Sequence, residues 1–141
     1  MRFRFLAGKP SHTPGIATGR LASCPARPNC VCSDASDPLQ SISALTLTAP
    51  PDRAWEAARS EVLSLPRTQI VSESDGYLHA ECRSAVFGFV DDLELHLRPQ
   101  SDSIAVRSAS RLGYRDFGVN RKRVENLRAA LASSLSDLGV R

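Results

Sequence analysis

Six basic side chains crowd into residues 107–123: Arg107, Arg111, Arg115, Arg121, Lys122 and Arg123, interleaved with Ser108, Ser110 and Tyr114. Arginine presents a flat, permanently charged fork that matches carboxylates and phosphates. Two sources of anion are open. Asp91, Asp92 and Glu94 precede the segment and Asp116 lies within it. Arginines facing these acids across neighbouring strands would form a structural ion-pair network. Alternatively, Arg107, Ser108, Ser110, Arg111, Tyr114, Asn120, Arg121 and Arg123 line a site for a small phosphate or carboxylate ligand. The network is the preferred reading, and it requires Arg111 and Arg123 to come within hydrogen-bond range of Asp92 or Asp116. Arg121, Lys122 and Arg123 would open a helix, where the dipole disfavours each cation by about 0.3–1 kcal/mol. Either source of anion answers that cost.

Other chemistries fit less well. The formal charge of the chain is only +3 and its basic excess is confined to one segment, which argues against nucleic acid as a partner although Tyr114 and Phe117 could stack on bases. Asp92, Glu94 and His96 make a D-x-E-x-H comb on one strand face. The surrounding arginines would repel a metal ion there and keep the carboxylates ionised, so no metal site is assigned. No G-x-S-x-G elbow or phosphate loop is present, and no general base stands near Ser108 or Ser110. Hence no catalytic residue and no cofactor is assigned, and the balance leans away from an enzyme. Cys24, Cys30 and Cys32 have the wrong spacing for a structural zinc site or a dithiol oxidoreductase. Pro25 and Pro28 hold Cys24 and Cys30 in a tight loop that could close as a disulfide in an oxidising compartment. Free thiols in a reducing cytoplasm are the equal alternative, with a thiol redox or metal-binding role of the 24–32 loop behind both. Cys82 is expected in the core.

The elements that position these residues follow from periodicity. Seven of the nine prolines lie at or before Pro51, and residues 1–43 carry no sustained helical or strand period, which predicts an extended arm bearing the cysteine loop. Residues 44–138 read as a single domain. Its first element, ALTLT from Ala44, is a short strand. In PPDRAWEAARSEVLSLP, Pro51 suits the first helical position, Asp52 the positive end of the dipole, and Trp55, Ala58, Val62 and Leu65 recur on one face until Pro66 stops the run. TQIVSE is a strand, and Ser74-Asp75-Gly76 a tight turn. Leu78, Ala80 and Cys82 then alternate with Tyr77, His79, Glu81 and Arg83. Leu93, Leu95 and Leu97 alternate with Asp92, Glu94 and His96, and SIAVRSAS returns with Ile104 and Val106 inward and Ser108 and Ser110 on their side. Val124, Leu127, Leu131, Leu135 and Leu138 mark a closing amphipathic helix with Asn120 as its cap. One-sided alternation predicts an antiparallel sheet with one wet face, on which His79 and His96 are exposed. The fold class is therefore α+β: about five strands and two helices packed on one face, in the order β-α-β-β-β-β-α, with an extended N-terminal arm.

Three motifs carry a resemblance. GRLASCPARPNC (Gly19–Cys30), FGFVDDLE (Phe87–Glu94) and VRSASRLGYRDFGVNRKRV (Val106–Val124) together resemble the domain of unknown function 1499 family over roughly residues 19–132. The resemblance implies a small protein of bacterial type, with some members exported or membrane-tethered and relatives in photosynthetic lineages. It implies no activity, because none is established for the family. One departure is visible: after the second motif cysteine the family usually shows V-S-S, whereas Cys32 replaces the first serine here.

The opening residues contain no apolar run of the ~7–15 residues a secretory signal needs, and no stretch approaches the ~18–20 apolar residues of a membrane span. A cytoplasmic protein is the direct expectation. An exported or membrane-associated one is the alternative, should a leader have been removed.

Overall fold

A computed structural model describes residues 15–137 apart from 17 and 86. His12 and Leu138 lie outside the described residues.

The elements in chain order are β1 (Cys30–Cys32), β2 (Leu45–Thr46), α1 (Pro51–Leu63), β3 (Thr68–Ser74), β4 (Tyr77–Arg83), β5 (Val90–Arg98), β6 (Ser103–Ser110) and α2 (Val119–Asp137), with a single 3-10 turn at Pro99–Ser101. The strands form one six-stranded sheet in the order β1-β6-β5-β4-β3, while β2 shares the β6 edge with β1. All strand pairings are antiparallel. The expected α+β fold holds, with one strand more than the five foreseen. The extra strand is β1, contributed by the N-terminal arm, which was expected to be extended but not to join the sheet. Its three residues are too short to show a period, and all three are buried, so no polar alternation marks them.

Helix α1 starts as its sequence dictates, with Pro50 as N-cap, Pro51 in the first turn and Asp52 at the positive end of the dipole. Ala54, Ala58 and Val62 are its buried stripe, and Trp55 and Leu65 pack at the margin. From α2, Val124, Leu127, Leu131 and Leu135 reach the same core. Opposite them the sheet contributes Val31, Leu78, Ala80, Cys82, Leu93, Leu95, Ile104 and Val106. These alternate strand positions face the helices, as the period required.

The other sheet face departs from expectation. It was foreseen as wet, yet Tyr77, His79, Asp92, Glu94 and Arg107 on it are all less than 8 % exposed. The arm covers it. Leu21 is buried in a small second core with Cys32, Tyr77 and Ala105, and Asp34 accepts two hydrogen bonds from the Arg98 guanidinium, at 2.6 and 2.7 Å, and one from the Leu21 amide. Strand alternation shows that a face is polar. It does not show whether another segment lies on top.

Candidate functional site

The strand register sorts the charged residues onto two opposite faces of the sheet. Asp92 pairs with Glu81 on β4 and with Ala109 on β6, and Glu94 pairs with His79 and Arg107. These residues point toward the arm. Asp91, one residue out of phase, pairs with Ser110 and points toward α2. The single cluster expected from the sequence is therefore two, back to back.

On the arm face, Arg111 holds Asp92 through two hydrogen bonds, Nε to Oδ2 and Nη2 to Oδ1, both 2.8 Å, and its Nη2 also donates to Glu81 at 2.7 Å. His79 Nε2 lies 2.7 Å from the Asp92 carboxylate. Burial pushes the Asp92 carboxyl upward, but the hydrogen bonds from Arg111 and His79 prevail and hold it below its ordinary value. The Tyr77 hydroxyl donates to Glu94 at 2.7 Å. Burial first, and the Glu94 carboxylate second, raise the Tyr77 phenol, so it stays a neutral donor. Arg107 stands 3.7 Å from the other Glu94 oxygen, and neither side chain has any solvent exposure. Its Nε and Nη2 donate to the Ala22 and Ser23 carbonyls of the arm at 2.9 and 3.1 Å. Burial draws the Arg107 guanidinium downward, and Glu94 opposes that shift.

On the helix face, Arg123 meets Asp91 at 2.8 Å. Here burial outweighs the ion pair, and the Asp91 carboxyl sits above its ordinary value despite that contact. Asn120, fully buried, is the hub. It accepts from the Ser108 hydroxyl at 2.7 Å and donates to the Asn29 carbonyl, Ser110 and Asp116. The two small serines admit this side chain close to the sheet. The helix cap is Asp116, not Asn120: its carboxylate accepts the backbone N–H groups of Gly118 and Asn120 at 2.9 and 3.1 Å. An aspartate ahead of the helix both satisfies the free amides and answers the dipole.

The residues proposed for one ligand site are thus distributed over three places. Arg107 and Arg111 lie on the arm face of the sheet, while Ser108, Ser110, Asn120 and Arg123 lie under α2. Tyr114 and Arg121 are on the exterior, Tyr114 with the Arg115 guanidinium 5.7 Å from its ring and Arg121 donating to the Leu39 and Ser41 carbonyls. Arg111 reaches Asp92, as the network requires. Arg123 finds Asp91 rather than Asp92, because the sheet intervenes, and rather than Asp116, whose carboxylate is taken up by Gly118 and Asn120. His79 is buried and not exposed as foreseen, since the arm closes over it. His96 is half-buried and accepts a hydrogen bond from Arg98 at 3.1 Å. Burial and the neighbouring Arg98 charge lower its pKa.

Cys24 and Cys30 are joined by a disulfide. It ties the arm immediately beyond Ala22 and Ser23 to the first residue of β1. Cys32 and Cys82 are buried free thiols, each pushed up chiefly by burial. Among the described residues, no group of three or more His, Cys, Asp and Glu side chains is disposed to hold a metal ion.

Sequence reasoning missed Tyr77, His79 and Glu81 as members of the arm-face cluster, and Asp34 with Arg98 as its lateral anchor. The phase of the alternation already put the first three on the face of Asp92, Glu94 and Arg107.

Fold and site together define a class: an antiparallel α+β domain whose polar sheet face is sealed by an arm over buried ion pairs. The chain belongs to the family described as protein of unknown function (DUF1499), whose model matches residues 20–131 and so takes in the arm, both clusters and most of α2. No curated protein and no solved structure matches it significantly.

Proposed function

We propose that this chain is a non-enzymatic binding or structural domain in which the arginines of residues 107–123 act as internal fasteners. One observation carries the reading: Arg107, Arg111 and Arg123 each direct a guanidinium to a carboxylate of the same chain, at 3.7, 2.7 and 2.8 Å respectively. An anion-binding pocket would need those forks turned toward a shared concavity, whereas they point to opposite sides of the sheet. The raised thiols of Cys32 and Cys82 likewise argue against a redox role, which depends on an accessible thiolate. The Cys24–Cys30 bond supports an oxidising compartment over the cytoplasm.

The test is thermal unfolding with and without inorganic phosphate. Fasteners give an unchanged Tm. A phosphate-dependent rise that disappears in Arg123→Gln or Arg111→Gln would establish the anion site instead.

A further inference from the structure

One pole of the molecule is apolar and basic at once. β4 ends there and β5 begins, β6 ends there and α2 begins, and the disulfide loop leads into β1. Ten large apolar side chains are exposed among the described residues, and six of them, Phe87, Phe89, Leu112, Tyr114, Phe117 and Val119, sit in the two adjacent loops of this pole or the first residue of α2. The loops spring from neighbouring strands, joined where the Arg111 amide donates to the Val90 carbonyl at 3.2 Å. Phe87 and Phe89 stack at 5.5 Å. Soluble proteins seldom leave such a concentration uncovered without a use for it.

Phe117 is the extreme case. It is 94 % exposed, and its backbone holds φ at 53°, a left-handed conformation in which a bulky non-glycine residue is an outlier. The neighbouring Asp116 cap and Gly118, at φ 81°, fix the turn. The fold thus maintains a strained residue whose ring covers nothing in the free protein, a pattern found at functional positions.

Charge indicates what covers it. Arg27, Arg67, Arg115, Arg121 and Lys122 are exposed at this pole. Of the acids nearby, Asp116 is engaged in the helix cap, Glu81 with Arg111 and Asp91 with Arg123, while exposed Asp37 lies beside Arg27, Tyr114 and Arg115 and leaves the balance basic. At the opposite pole the exposed charges include Asp52, Glu56, Asp75 and Asp102 against Arg53. The molecule is polarised along its strands. Aromatic rings on protruding loop tips, ringed by cations, suit the interfacial zone of a bilayer bearing anionic lipid, where apolar insertion and electrostatic attraction add. A protein partner would more naturally meet a flat or concave patch.

We propose that this pole docks on an anionic lipid surface, inserting Phe87, Phe89, Tyr114 and Phe117 between headgroups while the surrounding arginines and Lys122 meet lipid phosphates. The proposal goes beyond the fastener reading and is tested apart from it, because all of these side chains are external to both ion-pair clusters.

The experiment is cosedimentation of the full chain with vesicles of phosphatidylcholine alone and of phosphatidylcholine mixed with phosphatidylglycerol. Binding is expected to the mixed vesicles, falling with added salt, and weak to phosphatidylcholine. The double substitution Phe87→Ser with Phe117→Ser should weaken partitioning by roughly tenfold or more at unchanged Tm, as should Arg115→Glu with Lys122→Glu. Asp75→Asn at the far pole should change nothing. In Phe117→Trp the added emission should shift to the blue with mixed vesicles, while Trp55 of the unaltered chain, on α1, does not respond. Retention of the chain in the supernatant, or equal binding by the double-Phe variant, overturns the proposal. So does a lipid-independent dimer that dissociates in that variant, which would give the surface to a second copy. Loss of stability in Arg107 or Arg111 variants bears only on the fasteners.

Discussion

Arg107 and Glu94 face each other across β6 and β5 at 3.7 Å with no solvent exposure on either side chain. The same guanidinium also donates to the Ala22 and Ser23 carbonyls. A charge this deeply enclosed is tolerable only with such partners, because removing one partner of a buried pair typically costs about 3–5 kcal/mol. The pair therefore does two things: it neutralises the sheet interior and holds the arm down.

Arg107→Leu is expected to lower stability by about 3–5 kcal/mol, and to raise amide exchange and protease sensitivity across residues 18–24 more than elsewhere. Arg121→Ala, removing an exposed fork that donates to the Leu39 and Ser41 carbonyls, should change stability by less than about 1 kcal/mol. Urea unfolding and limited proteolysis of the two variants separate these outcomes.

The aspartates should respond to acid with opposite signs. Asp92 and Asp34 are both held below the ordinary carboxylate value: burial acts upward on each, but Arg111 and His79 prevail at Asp92, and Arg98 with the Leu21 amide at Asp34. Below about pH 4 the unfolded chain then binds more protons than the folded one, so their contribution, fully present above that pH, is lost as pH falls through the depressed values. Asp91 is shifted upward by burial, so its contribution is present at low pH and lost as pH rises through its raised value. Asp92→Asn should therefore flatten the acid limb of a Tm-against-pH curve, and Asp91→Asn should steepen it.

The disulfide closes a short loop, Cys24 and Cys30 being six residues apart. Its entropic contribution is about 2 kcal/mol. Cys24→Ser with Cys30→Ser should lower stability by that amount and, since the bond adjoins the Arg107 carbonyl acceptors, should increase exchange at Leu21–Ser23. Denaturant midpoints and exchange rates check both effects.

Cys32 and Cys82 are enclosed and shifted upward by burial. Neither thiol should react with a charged thiol reagent in the folded protein at neutral pH, and both should titrate in urea. Rapid modification of native Cys32 would mean that the arm opens readily.

Much of the fold was legible because alternation and helical spacing report directly on burial. Leu93, Leu95 and Leu97, or Ala58 and Val62, can satisfy only one geometry. The closing segment was readable as a concentration of arginines in need of anions, with carboxylates of the chain and a bound ligand both open as the source. What could not be read was which residues meet across neighbouring strands on each face. Asp91 and Asp92 are adjacent in the chain yet serve Arg123 and Arg111 on opposite faces, a consequence of the pleat combined with the β5–β6 register, and register is set by contacts far apart in sequence. The burial of His79 was hidden for a related reason: its cover is the arm, whose own residues carry no period, and whose attachment depends on single contacts such as Asp34 with Arg98.

The most direct test of internal fastening is a double-mutant cycle on Arg111 and Asp92, comparing Arg111→Gln, Asp92→Asn and the combined variant by urea unfolding. Fastening predicts that the double variant loses less stability than the sum of the singles, with a coupling free energy of about 1–3 kcal/mol. Additivity within about 0.5 kcal/mol would contradict it.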